Sequence, residues 1–361
     1  MAEIKETMLT NIYREKEILE KIFNEFKEKN RDLLFSLKEK QLKNILILAT
    51  GSSMNAALTI KYTLEENLKT VVFIEEPFNY TNYGMINNEF DLIIGISQSG
   101  RSASTIKALE KIKSKTKAET LVITSNLSSP IVEYSDYILE LNMEIENVGF
   151  VTKGFTATVL NIILFSLYLG KMKELVSVEK FNNNIFQIKK IIEKIPKIIL
   201  KTENYFETNK LLLEKGERFI CIGYGPSTGI AKEFETKFTE TVRYPSQGFE
   251  LESYMHGPYL EANKKHYIFY LNSKGIFSQR LLLLKQYMEK YVGFSSIIGF
   301  AKEDFKNINF ELNEEIDENL LVILLVIPIQ ILSYRIANLK GINLEVRIFD
   351  DFDKVLKSKI N

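Results

Sequence analysis

Glu233, Lys237 and Glu240 are spaced i, i+4 and i+7. At 3.6 residues per helical turn they share one narrow stripe. Phe234, Phe238 and Thr241 form the neighbouring stripe, which is expected to pack inward, so the charged stripe borders the core and can line a cleft. Downstream, Glu252-Ser-Tyr-Met-His256-Gly-Pro258 holds an imidazole on a rigid, non-helical turn. Moving a proton between the C1 and C2 carbons of a sugar needs a base, and opening its ring needs an acid–base group. A carboxylate and a histidine fill those roles, and a lysine stabilises developing negative charge. The plainer alternative is a solvated helix face laced by Glu–Lys pairs with a structural histidine nearby. His266, the other histidine, opens an apolar run and reads as structural.

A second set of residues suits an anion. Gly51, Ser52 and Ser53 follow one apolar run; Ser97, Gln98, Ser99, Gly100 and Ser102 follow another; Thr124 ends a third. Ligands of open α/β sheets bind beyond the carboxyl ends of the strands. Each of the first two loops leads into a helix, whose free N–H groups and positive dipole end favour an anion. Hydroxyls and backbone amides can hold a phosphate without Lys or Arg. The alternative reading, ordinary N-caps and turns, weakens when two such loops lie at adjacent strand ends.

The positioning elements follow from the apolar pattern. Runs at 44–49, 71–74, 91–96, 120–124 and 137–141 alternate with helical stretches, which specifies a parallel sheet covered on both faces. The pattern returns at 218–223, 266–271 and 295–300. Ser97-Gln-Ser-Gly100 and Asn272-Ser-Lys-Gly275 lie 175 residues apart (272 minus 97), as do Thr124-Ser-Asn126 and Gly299-Phe-Ala301. Two copies of one α/β unit are therefore expected, joined by a helical stretch from about Val159 to Tyr205. The second copy has exchanged hydroxyl-rich loops for Pro, Lys and Asn. Residues 3–41 read as one or two amphipathic helices.

The chain has 361 residues, enough for two domains, with 47 basic and 47 acidic residues and zero net charge. That gives no support to a nucleic-acid surface, which needs a basic excess. One cysteine, Cys221, excludes an internal disulfide and reads as a buried strand residue, so a cytoplasmic, metal-free chain is expected. The charged opening Met-Ala-Glu-Ile-Lys-Glu has no apolar core of a secretory leader. The most apolar stretch, Leu320–Tyr334, is expected to be a core helix too short for a membrane span.

These motifs resemble the sugar isomerase (SIS) domain family, in particular the double-SIS isomerase half of glucosamine-6-phosphate synthase and the fructosamine-6-phosphate deglycases. The resemblance runs from about Thr7 to Lys359. It rests on Thr50-Gly-Ser-Ser53, Ser97-Gln-Ser-Gly100, Val151-Thr-Lys-Gly-Phe-Thr156, Ala231-Lys-Glu233 through Glu240, His256-Gly-Pro258 and Ile327–Tyr334. It implies two tandem α/β domains, each a parallel five-stranded sheet in a three-layer, flavodoxin-like sandwich. Their expected bounds are 41–195 for the phosphate-binding domain and 196–361 for the catalytic one, after N-terminal helices at 1–40. By the resemblance, Gly51, Ser52, Ser53, Ser97, Gln98, Ser99, Ser102 and Thr152 bind phosphate and sugar. Glu240 is the proton-transferring base, and His256 is the acid contributed across a homodimer interface. Glu233 and Lys237 contact the sugar or stabilise charge, and Lys354 in the tail is the candidate imine-forming lysine. The implied ligand is a small sugar phosphate, with no cofactor, nucleic acid or membrane partner. The chain departs from the family in having no glutaminase segment, so amine-releasing reactions, deglycation or deamination, are expected over synthesis. It also carries Arg101-Ser102 where Glu or Thr is usual. The alternative is a phosphosugar sensor without chemistry.

Overall fold

The computed structural model describes residues 5–312, 315–349 and 351–360. The first four residues, part of the opening that argued against a leader, lie outside that range, as does Asp350 in the tail.

The chain divides into two compact units. The first unit holds 17–147, 153–186 and the tail from Arg347; the second holds the described residues up to Lys16, 148–152 and 187–346. In the first unit, β1 (Asn44–Leu48), β2 (Val71–Glu75), β3 (Leu92–Ile96), β4 (Glu119–Thr124) and β5 (Tyr137–Glu140) form a parallel sheet in the order β2-β1-β3-β4-β5. The inner strands β1, β3 and β4 are apolar and buried on both faces, as helices on either side require. The edge strand β2 exposes Val71 and Phe73.

In the second unit, β6 (Arg218–Gly223), β7 (Ser246–Glu250), β8 (His266–Asn272), β9 (Phe294–Gly299) and β10 (Ile308–Asn309) give the order β10-β9-β8-β6-β7, again all parallel. Read from its other edge, this is the first sheet's order. The chain is thus two copies of one doubly wound α/β unit. In each copy the order reverses between the first and third strands, β1/β3 and β6/β8, which is where such sheets open a ligand crevice.

Several expectations are corrected. The boundary at 195/196 falls inside one continuous helix, Val178–Leu213, which carries Pro196. The tail packs with the first unit rather than with the second half of the chain. The N-terminal stretch forms three helices, Met8–Tyr13, Glu15–Lys29 and Arg31–Lys38. The Leu320–Tyr334 run sits in a helix of 22 residues, Glu318–Leu339, long and apolar enough to cross a membrane by length and composition, as is Lys153–Met172. Pro328 does not end it. Nearly all its side chains are buried against protein, including the helix Ser227–Thr241, and Lys153–Met172 packs on Ser52–Leu68 with Asn67 Nδ2 donating to Ser166 Oγ at 3.0 Å. Cys221 is free and buried in β6, where burial pushes its thiol well up.

Candidate active site

The candidate residues fall into two groups, one in each unit. In the first unit, the loop after β1 enters the helix Ser52–Leu68 through Gly51, whose φ of 58° and ψ of −137° suit glycine alone. Ser52 and Ser53 are partly exposed in that helix's first turn. Across the β1/β3 switch point, Ser97–Ser102 leads into the helix Ala103–Lys115. The loop is held from within. Gly100 N–H donates to Ser97 O at 2.9 Å, and Ser102 N–H lies 3.4 Å from Ser97 Oγ. Gln98 O accepts from Ser125 N–H at 3.0 Å, Ser125 Oγ at 2.8 Å and Thr124 Oγ1 at 3.2 Å, while Gln98 Nε2 donates to Ser125 Oγ. Gln98 and Thr124 therefore brace the loop. Ser99 and Ser102, partly exposed, remain at its surface.

Gly100 has φ +68°, and a Cβ there would lie 1.8 Å from Ser129 Oγ. The left-handed backbone alone costs an alanine about 1–2 kcal/mol, before the collision. Gly100→Ala is therefore expected to weaken binding of fructose 6-phosphate by more than about tenfold, since 1.4 kcal/mol is a factor of ten. Calorimetric titration checks this.

The tail closes onto this loop. Ala103 N–H, at the helix start, donates to Ser358 O at 3.1 Å; Ile360 N–H donates to Arg101 O at 2.9 Å; and Ser102 pairs with Lys359 in an antiparallel bridge. Ile360 packs against the core beneath. Asp353 anchors the tail's own fold through Ser358 Oγ and Arg347, and those contacts hold its carboxyl below the usual range. Lys354 sits on the short helix Phe352–Leu356, before the docked segment. Lys357, in a left-handed conformation with φ 51°, immediately precedes Ser358. The resemblance pointed to Lys354 and not to Lys357, whose neighbour Ser358 is the residue docked at the Ser97–Ser102 loop.

In the second unit, Glu233, Lys237 and Glu240 lie together on the helix Ser227–Thr241 as their spacing predicts. The stripe goes deeper than expected. Glu233 and Lys237 are fully buried, and only Glu240 keeps about a third of its side chain in solvent (39%). Lys237 Nζ lies 2.6 Å from Glu240 Oε2 and 3.7 Å from Glu233 Oε1. Phe234 and Phe238 stack at 3.8 Å on the adjacent stripe, and Thr241 Oγ1 lies 2.7 Å from Lys237 O and 3.1 Å from Ser333 O. His256 is exposed at the end of the helix Leu251–Met255, followed by Gly257 with φ 135° and Pro258. Beside it, the Arg280 guanidinium, hydrogen-bonded to Glu252, holds that carboxyl below its usual range, with His256 contributing in the same sense. His266 is buried at the start of β8, and burial pulls its imidazole down. Thr152 is fully buried in this unit, its carbonyl accepting from Gln330 Nε2 at 3.2 Å.

At the second copy's switch point the two loops are tied to each other. Tyr224, after β6, places its hydroxyl 3.1 Å from Gly275 N–H, 2.9 Å from Ser273 Oγ and 3.4 Å from Asn272 Oδ1. Ser273 Oγ also lies 3.1 Å from Glu318 Oε2. The amide that would face a phosphate is spent on a phenol, and a carboxylate stands beside it. Burial pushes the Glu318 carboxyl up, and Asp317 adds to this. A carboxyl raised above its unfolded value contributes stability below the unfolded value, near pH 4.5, and that contribution is lost as pH rises through the folded one. Glu318→Gln is therefore expected to gain thermal stability relative to the parent on going from pH 4.5 to 7, read by melting curves across that range. A separate cavity of about 790 Å³, lined by Lys274, Lys285, Phe300, Lys302 and Asp304, holds none of the candidate residues.

Residues 40–167, which hold the first sheet and its hydroxyl-lined loop pair, match the SIS domain model, and the second unit repeats the same sheet order. The chain is 27% identical over 368 residues to glutamine–fructose-6-phosphate aminotransferase (isomerizing) of Acinetobacter baylyi, across 95% of this chain and 58% of that protein. It spans about half the length of the curated relatives it matches, such as the Aquifex aeolicus aminotransferase (26% identical, 94% of this chain, 56% of that protein). A solved protein of Clostridium difficile 630, described as a proposed phosphosugar isomerase, superposes with a TM-score of 0.87 at 27% identity over 98% of both chains. The C-terminal domain of glucosamine-fructose-6-phosphate aminotransferase from Francisella tularensis shares the fold, with a TM-score of 0.81 at 24% identity over 94% and 97% of the two chains.

Proposed function

We propose that this protein is an enzyme acting on a 6-phosphorylated ketosamine or amino sugar, moving a proton between C1 and C2 through an enediol- or enolamine-type intermediate. The observation that carries the reading is the clamped Glu240: a partly exposed carboxylate fixed by a buried lysine, a construction a passive binder has no use for. Glu240 abstracts the proton, Lys237 stabilises the charge that develops, and His256, contributed by a second copy in a homodimer, protonates the ring oxygen or the leaving amine. The Ser52–Ser53 and Ser97–Ser102 loops hold the phosphate. The docking of Ser358 favours Lys357 over Lys354 as the tail lysine that meets the carbonyl carbon. The relatives named above as aminotransferases handle a hexose 6-phosphate and nitrogen together, which supports an amine at C1 or C2 and a deglycase or deaminase outcome. A sensor with the fold but no chemistry is the second reading; the Tyr224 hydroxyl on the Gly275 amide supports it, since the second copy's loops are held by the protein itself.

Incubation in D₂O with fructoselysine 6-phosphate, glucosamine 6-phosphate, or fructose 6-phosphate plus ammonia separates the two. Deuterium uptake at C1 or C2 with product formation, followed by mass spectrometry, is the expected result. Saturable binding without exchange for all three would establish the sensor.

A further inference from the structure

The five-residue helix Leu251–Met255 carries His256 at its end, and it is anchored by two buried side chains, Leu251 and Tyr254. Tyr254 is fully buried in the core that also contains Ile220, Ile268, Tyr270, Leu284 and Ile297. Its ring meets Phe249 edge-on at 5.6 Å. Its hydroxyl has no hydrogen-bond partner among the described residues, and neither do the buried hydroxyls of Tyr270 and Ser295.

These three groups share one face of the second sheet. Tyr270 follows Ile268 by two residues on β8, and Ile268 pairs with Ser295 on β9, so both side chains project toward the same side as Tyr254's core. Tyr254 acts electrostatically on Tyr270, and the Ser295 hydroxyl is close enough to act on the Tyr270 phenol as a hydrogen-bonding neighbour, although the two make no well-aligned hydrogen bond. Burial pushes the Tyr254 phenol up to about 12 and raises Tyr270 as well, so both stay neutral donors at ordinary pH. Three neighbouring buried hydroxyls without a well-formed hydrogen bond are rare, because each costs the desolvation of a polar group. Polar interior sites with two to four such partners hold ordered water.

We infer that Tyr254, Tyr270 and Ser295 hold one internal water, and that this water fixes the helix that presents His256, making Tyr254 and Tyr270 positioning residues for the acid. The inference rests on the role proposed for His256. On its exposed side the helix is held by the Arg280 guanidinium on Glu252; a water bridging it to β8 and β9 adds a directional tie on the buried side, which the apolar contacts of Leu251 and the Tyr254 ring do not supply. Loss of a hydroxyl leaves packing intact and frees the imidazole's direction.

The test is a cycle of Tyr254→Phe, Tyr270→Phe and the double variant. Each single variant is expected to lower kcat by roughly five- to tenfold, the scale of one hydrogen bond, with KM unchanged. The double variant is expected to lose no more than either single one, because both act through the same water. Melting temperatures should show the same non-additivity, and a high-resolution crystal structure should place a water within hydrogen-bond distance of all three hydroxyls. Multiplying losses, singles with unchanged kcat in an otherwise active enzyme, or hydroxyls bonded to protein carbonyls in the crystal would overturn the inference. If the parent turns over no sugar phosphate, the proposed function fails while the crystal structure and the melting cycle still judge the water.

Discussion

Glu240→Gln should fold and bind sugar phosphate like the parent, and lose about 10²- to 10⁴-fold in kcat, the contribution typical of a positioned acid–base group. The geometry separates the two effects. Glu240 keeps 39% of its side chain in solvent, so an isosteric amide costs little stability, and the Ser52–Ser53 and Ser97–Ser102 loops lie on other elements. Lys237 keeps an acceptor at position 240, so the clamp survives with a weaker charge. Steady-state kinetics with a titration of fructose 6-phosphate check both halves. Unchanged kcat would remove Glu240 from the chemistry, and a lost affinity would recast it as a binding group.

The second large effect concerns Lys237. Its ammonium is fully buried, 2.6 Å from one carboxylate and 3.7 Å from another. Removing one partner of a buried ion pair strands the other charge, which costs about 3–5 kcal/mol. Lys237→Met keeps the stem's volume and deletes the charge. It is expected to lower the melting temperature by about 6–20 °C, at 2–4 °C per kcal/mol for a domain of this size, and to abolish turnover. Pairing it with Glu233→Gln should restore part of the stability and none of the activity, since the second change removes the stranded carboxylate only. Scanning calorimetry of the single and double variants is the measurement.

The inner strands were legible because they are continuous apolar runs, as strands covered on both faces must be. β7 and β10 were not read. Ser246-Gln-Gly-Phe-Glu250 is an edge strand only half covered, so it carries no apolar run, and β10 is two residues long. The stripe Glu233–Lys237–Glu240 was legible from helical periodicity alone, but its depth was not. Periodicity gives direction around a helix, whereas burial depends on Glu318–Leu339 packing over it, a partner some 80 residues away. The boundary at 195/196 failed because the helix Val178–Leu213 continues through Pro196, so no break in the chain marks the passage from one unit to the next. The tail's return to the Ser97–Ser102 loop left no local trace, because its contacts there run through the backbone of Arg101, Ser358 and Ile360.

The Tyr224 latch gives the two copies different mutational fates. Substitutions in Ser97–Ser102 should be felt as lost catalysis at normal protein abundance. Those at Tyr224 and Ser273 should be felt as lost abundance at normal specific activity, because their hydroxyls hold two loops together. A saturation-mutagenesis screen scored separately for cellular level and for growth on the substrate would then colour the duplicated loops in opposite ways. A fold that began as two equivalent halves would have parted into one half constrained by its ligand and one constrained by itself.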